Sequence, residues 1–100
     1  MQAKIWNHSE WIAETDPDAL RTKYDALLRR SGFGVLEFVE HHFQPQGWTA
    51  IWVLCESHFA VHTFPEFGKT YIELASCNLA FYKEFITLTN EVHDGAEIVP

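Results

Sequence analysis

The chain has 100 residues, of which 47% are hydrophobic and 15% aromatic. That is one domain's length, enough to bury roughly two-thirds of the unfolded surface, and the composition excludes a disordered chain. Fourteen acidic against seven basic residues give a net charge of -7, which argues against a nucleic-acid or anionic-membrane partner, because phosphate binding needs clustered Lys and Arg.

Lys4 to Thr15 is expected to form a first strand. Asp16-Pro17 reads as a helix N-cap followed by proline at the first helical position. Leu20, Tyr24, Leu27 and Leu28 then recur at helical spacing. Arg29 and Arg30 sit where a helix C-terminus favours cations, and Gly32 and Gly34 end the element. Val35 to Phe43 favours strand, and Pro45 to Gly47 makes a turn.

Trp48 to Cys55 is apolar on both parities. Trp48, Ala50, Trp52 and Leu54 occupy one face, Ile51 and Val53 the other, so both faces need cover. Two short helices cover one face, and a second sheet from a partner chain is the cheapest cover for the other. Phe59 to Phe64 and Lys69 to Ser76 read as further strands around a Pro65 to Gly68 turn. A second helix is expected from about Asn78 to Asn90, with Leu79, Tyr82, Phe85 and Ile86 on one face, and an edge strand at Glu97 to Val99. The expected fold class is therefore α+β, a two-layer sandwich of an antiparallel sheet with two helices on one face. Residues 1–100 are read as a single domain. No signal peptide is visible at the start, and no stretch approaches the roughly 20 apolar residues of a membrane span. Cys55 and Cys77 lack CxxC spacing, which favours a reduced, cytoplasmic pair.

The chemistry concentrates in Glu56-Ser57-His58-Phe59-Ala60-Val61-His62-Thr63-Phe64-Pro65-Glu66, with Cys77 downstream. These side chains suit a chain that cuts itself and turns a serine into a carbonyl cofactor. A serine hydroxyl attacks the preceding carbonyl, the peptide becomes an ester, and elimination across the serine Cα–Cβ bond follows. Histidine is the side chain that moves protons near neutral pH. The ketone left behind serves as an electron sink for decarboxylation through a Schiff base with a substrate amine.

Residue types and spacing resemble the prokaryotic S-adenosylmethionine decarboxylases, whose corresponding run reads ESH-x-x-x-HT-aromatic-PE-aromatic-G. The matching covers about Phe38 to Cys77. The resemblance implies cleavage between Glu56 and Ser57, a pyruvoyl group derived from Ser57, His62 in processing, and Cys77 as proton donor in decarboxylation. It further implies that Phe43 stacks on the adenine of S-adenosylmethionine, that Glu66 binds the ribose hydroxyls, and that Thr49 supplies a hydroxyl where the family has a processing serine. It implies a polyamine-pathway decarboxylase, without metal, working as a homodimer of face-to-face protomers in four αββα layers. Family members often place glycine after the cysteine and a linker before the next helix. Here Asn78-Leu79 follow at once, which bears on the orientation of Cys77.

Other readings stay open on residues alone. Taken singly, His62 fits a core histidine, Cys77 a small buried hydrophobe, and Phe43 core. On one strand, Glu56, His58 and His62 share a face and suit a metal, although no HExxH or paired CxxC supports it. Two alternatives to the main reading stay open: the same pyruvoyl chemistry acting on arginine or ornithine, or an unprocessed, non-catalytic regulatory relative.

Overall fold

A computed structural model describes residues 3–92 and 98–99. The elements in chain order are β1 (Trp6–Ile12), α1 (Pro17–Arg30), β2 (Val35–His42), β3 (Trp48–Leu54), β4 (Ser57–Phe64), β5 (Lys69–Ser76), α2 (Leu79–Val92) and β6 (Ile98–Val99). All strand pairings are antiparallel, in the order β2-β3-β4-β5-β1-β6. Strands β2 to β5 form a meander, so short turns fix their register. The expected two-layer α+β sandwich is the architecture found.

Local chemistry explains the boundaries. The Asp16 side chain accepts from the Ala19 backbone N–H at 2.9 Å and caps α1, with Pro17 at its start. Ser31 closes that helix, its hydroxyl donating to the Leu27 carbonyl. At Gly32 the chain turns with φ 108°, and a Cβ there would lie 2.7 Å from the Phe81 ring, so glycine permits both the turn and the contact with α2. The first strand is shorter than Lys4 to Thr15, because Glu14 and Thr15 form the local turn that precedes the α1 cap. Strand β4 begins two residues before the expected Phe59, at Ser57. The edge strand is Ile98–Val99, and Glu97 lies outside the described residues.

Both helices pack on one face of the sheet. Leu20, Tyr24, Leu27 and Leu28 of α1 join Phe85 and Leu88 of α2 over Trp48, Trp52, Phe59, Val61, Ile72 and Leu74. Two buried indoles link this core to charge at its edge. Trp52 Nε1 donates to Asp25 on α1 at 3.1 Å, and Trp48 Nε1 donates to Glu40 on β2 at 2.8 Å. Each such bond contributes about 1–2 kcal/mol because its acceptor is charged and the N–H would otherwise be buried unpaired. The opposite face lacks a helix and leaves Val39, Ile51, Val53 and Phe64 exposed.

Hydrogen bonds from Arg29 and Trp52 hold the Asp25 carboxyl below its usual range, with burial opposing them. A carboxylate lowered on folding stabilises the protein above its unfolded pKa, near 3.9, and that contribution is lost as pH falls through the folded value. Urea unfolding midpoints measured from pH 6 to pH 3 are therefore expected to fall more steeply in the native chain than in Asp25→Asn. Parallel curves would contradict this role for Asp25.

Candidate active site

The hairpin joining β3 to β4 is as short as hairpins become. Leu54 pairs with Ser57, which leaves only Cys55 and Glu56 in the turn. Such turns demand positive φ and usually recruit glycine or asparagine. Glu56 takes φ 57° instead, the only non-glycine residue among those described to do so. A left-handed glutamate costs about 1–2 kcal/mol, and that cost sits on the residue whose carbonyl precedes Ser57.

Two partners grip this junction, both from the exit of β5. The Cys77 backbone N–H donates to the Glu56 carbonyl oxygen at 3.4 Å. The Ser57 hydroxyl donates to the Ser76 hydroxyl at 2.8 Å, the two serines being directly paired across β4 and β5. Cys77 itself is exposed. Asn78 explains why no linker is needed after it: its side chain accepts from the Phe81 N–H at 3.0 Å and caps α2 directly. A serine hydroxyl, a carbonyl carrying a backbone donor, and the Cys77 backbone therefore meet at one end of the sheet.

The remaining site residues lie at the other end. His62 pairs with Thr49 across β3 and β4, and its Nδ1 is 3.0 Å from the Thr49 hydroxyl. Its ring stacks on Tyr71, 6.4 Å between centroids. Phe43 follows β2, half exposed, with its ring 4.5 Å from that of His41. Glu66 is exposed in the short 3-10 turn Pro65–Phe67 that ends β4. His62 lies five positions along β4 from Ser57, a span of about 16 Å, and alternation puts their side chains on opposite faces. Within one chain, then, Thr49 joins His62, the Glu56–Ser57 junction joins Ser76 and the Cys77 backbone, and the two groups stay apart.

A cleft of about 330 Å³ opens beside Phe43, Gly47, Trp48 and Thr63. Neither Ser57 nor Cys77 of the same chain lines it. Glu56 belongs to the turn rather than to β4, so it does not continue the face that His58 and His62 share. Among the described residues no three metal-ligating side chains gather, and no helix is long and apolar enough to cross a membrane. Sequence reasoning missed Ser76. Its signal was a hydroxyl on the core parity of β5, in line with Ile72 and Leu74, where an apolar residue was due.

Residues 7–92 match the family model for S-adenosylmethionine decarboxylase. The chain is 38% identical over 66 residues to the S-adenosylmethionine decarboxylase proenzyme of Parasynechococcus marenigrum, covering 65% of this chain and 52% of that protein. It is 33% identical over 75 residues to the proenzyme of the same name from Clostridium tetani, covering 75% of this chain and 59% of that one. The chain spans about half the length of the curated relatives it matches. The crystal structure of the adenosylmethionine decarboxylase from Aquifex aeolicus superposes with a TM-score of 0.71 at 16% identity, over 91% of this chain and 81% of that one. That likeness supports the fold.

The left-handed glutamate yields a direct test. In a Ser57→Ala background, where no hydroxyl can attack, Glu56→Gly is expected to raise the unfolding free energy by about 1 kcal/mol. An unchanged or lowered urea midpoint would mean that the turn holds no strain.

Proposed function

The chain belongs to the S-adenosylmethionine decarboxylase family, and we propose that it is a proenzyme that breaks its own backbone between Glu56 and Ser57. The product decarboxylates S-adenosylmethionine to supply the aminopropyl donor for polyamine synthesis, spermidine included. The single observation that carries this reading is the junction itself. The Glu56 carbonyl sits in a left-handed turn with an N–H already on its oxygen, beside an anchored serine hydroxyl.

Ser57 Oγ attacks the Glu56 carbonyl carbon, and the Cys77 N–H stabilises the negative charge that grows on the oxygen. The C–N bond breaks, the hydroxyl proton ends on the Ser57 nitrogen, and an ester remains. Loss of the Ser57 Cα proton expels the Glu56 carboxylate. Water then replaces the nitrogen, releasing ammonia and leaving a pyruvoyl ketone at position 57. That ketone supplies an electron sink for removing carbon dioxide from an amine substrate. The Cys77 side chain, exposed beside the same junction, returns a proton to the substrate carbon. The junction fits such a group, since it is built entirely from the chain's own Ser57.

His62 is too far from the Ser57 of its own chain to take part. A second copy closes that distance. Face-to-face, antiparallel packing of two sheets brings the Thr49–His62 end of one protomer to the hairpin end of the other, so that the partner's imidazole meets the Glu56–Ser57 backbone from the bare face while Ser57 Oγ stays on the helix side with Ser76. The bare sheet face supports that packing, since Val39, Ile51, Val53 and Phe64 need cover and the helices lie on the other side. The resulting homodimer has four layers, αββα, and two composite sites. In each, the partner's His62, held by Thr49, moves protons during processing. The partner's Phe43 stacks on the adenine, and the partner's Glu66 accepts from the ribose hydroxyls.

Intact-mass measurement of the purified protein is expected to give two chains parted between Glu56 and Ser57. The second carries a ketone in place of its amine, and the cut protein releases carbon dioxide from S-adenosylmethionine. His62→Ala is expected to slow scission about 100-fold, the scale of a lost proton-transfer group. A single undivided mass after prolonged incubation would contradict the reading.

A further inference from the structure

We propose that Ser76 is a positioning residue for the backbone rearrangement: its buried hydroxyl sets the Ser57 oxygen for attack on the Glu56 carbonyl. The inference rests on the self-cleavage reading and adds a residue to it. Ser76 is 1% exposed, and its own hydroxyl is fixed twice by Asn78. It accepts from the Asn78 N–H at 2.9 Å and donates to the Asn78 carbonyl at 3.3 Å. Asn78 is fixed in turn, since its side chain caps α2 through Phe81. The acceptor that meets Ser57 Oγ at 2.8 Å is thus anchored to a helix.

Consecutive groups of this segment grip both reacting partners. Ser76 Oγ holds the nucleophile, and the next backbone N–H, that of Cys77, holds the carbonyl oxygen. An unanchored serine hydroxyl samples about three rotamers, so an anchored acceptor removes unproductive ones. By taking the Ser57 O–H as donor, Ser76 also leaves the Ser57 lone pairs free. The step needs no co-reactant: the Oγ–C bond forms, the C–N bond breaks, and the proton passes from Oγ to nitrogen. Ser76 does not keep that proton, because its onward acceptor among the described residues is the Asn78 carbonyl, which is a weak base. Its contribution is orientation.

The test follows newly synthesised full-length chain to its two products by mass for the native protein, Ser76→Ala and Ser76→Thr. Ser76→Ala is expected to cut about tenfold more slowly, the effect of one lost hydrogen bond. Ser76→Thr restores most of the rate, and near-ultraviolet circular dichroism confirms that both variants are folded. Hydroxylamine, which cleaves an ester directly, is expected not to restore the Ser76→Ala rate, because the slowed step precedes the ester. Equal or faster scission in Ser76→Ala, a threonine variant no better than alanine, or full rescue by hydroxylamine would each overturn the role of Ser76. If the native chain never divides, the self-cleavage reading falls as well, a result distinguishable from the other three.

Discussion

Side chains on a β-strand alternate between its faces, and five positions of β4 separate Ser57 from His62. That constraint shapes everything else. The odd positions 57, 59, 61 and 63 point toward the helices, and the even ones point away. No rotamer change closes a gap of about 16 Å. A strand with Ser57 at one end of one face and His62 near the other end of the opposite face serves two different neighbourhoods. Ser57 meets the β5 exit, which returns beside the hairpin. His62 meets Thr49 and Tyr71 on the flanking strands.

The same alternation governs stability. Trp48, Trp52, Phe59 and Leu74 give the helices a continuous apolar floor, and the indole N–H groups reach carboxylates at its margin. This floor holds the β3–β4–β5 register rigid enough to sustain a left-handed glutamate in the hairpin. Strain persists only where its surroundings over-determine the backbone. Here the Leu54–Ser57 and Ser57–Ser76 pairs close on the turn from both sides, and the Cys55 N–H is tied to the Gly34 carbonyl.

Much of this was legible in the residues. The α1 cap, the meander and the doubly apolar β3 follow from local signals: Asp16-Pro17, the Pro and Gly turns, and parity. The candidate motif from Glu56 to Glu66 was legible because its residues are close in sequence. Ser76 was not, since its importance comes from a cross-strand register that pairs it with Ser57, nineteen positions away. Glu56 misled for a related reason. Counted as a strand residue it shares a face with His58 and His62, but a two-residue turn removes it from that count. Asn78 looked like a departure from the usual glycine and proves to be the cap that starts α2 at once.

The central claim is that each working site is shared between two copies, and mixing protomers tests it most directly. On the proposed mechanism, Ser57→Ala chains do not cut and His62→Ala chains cut slowly. In the proposed dimer, mixing the two gives heterodimers in which one site pairs an intact Ser57 with an intact partner's His62. The account predicts that His62→Ala chains divide far faster in the mixture than alone, read by mass on distinguishable tags. If their scission rate is unchanged by the Ser57→Ala chains, the shared site is wrong.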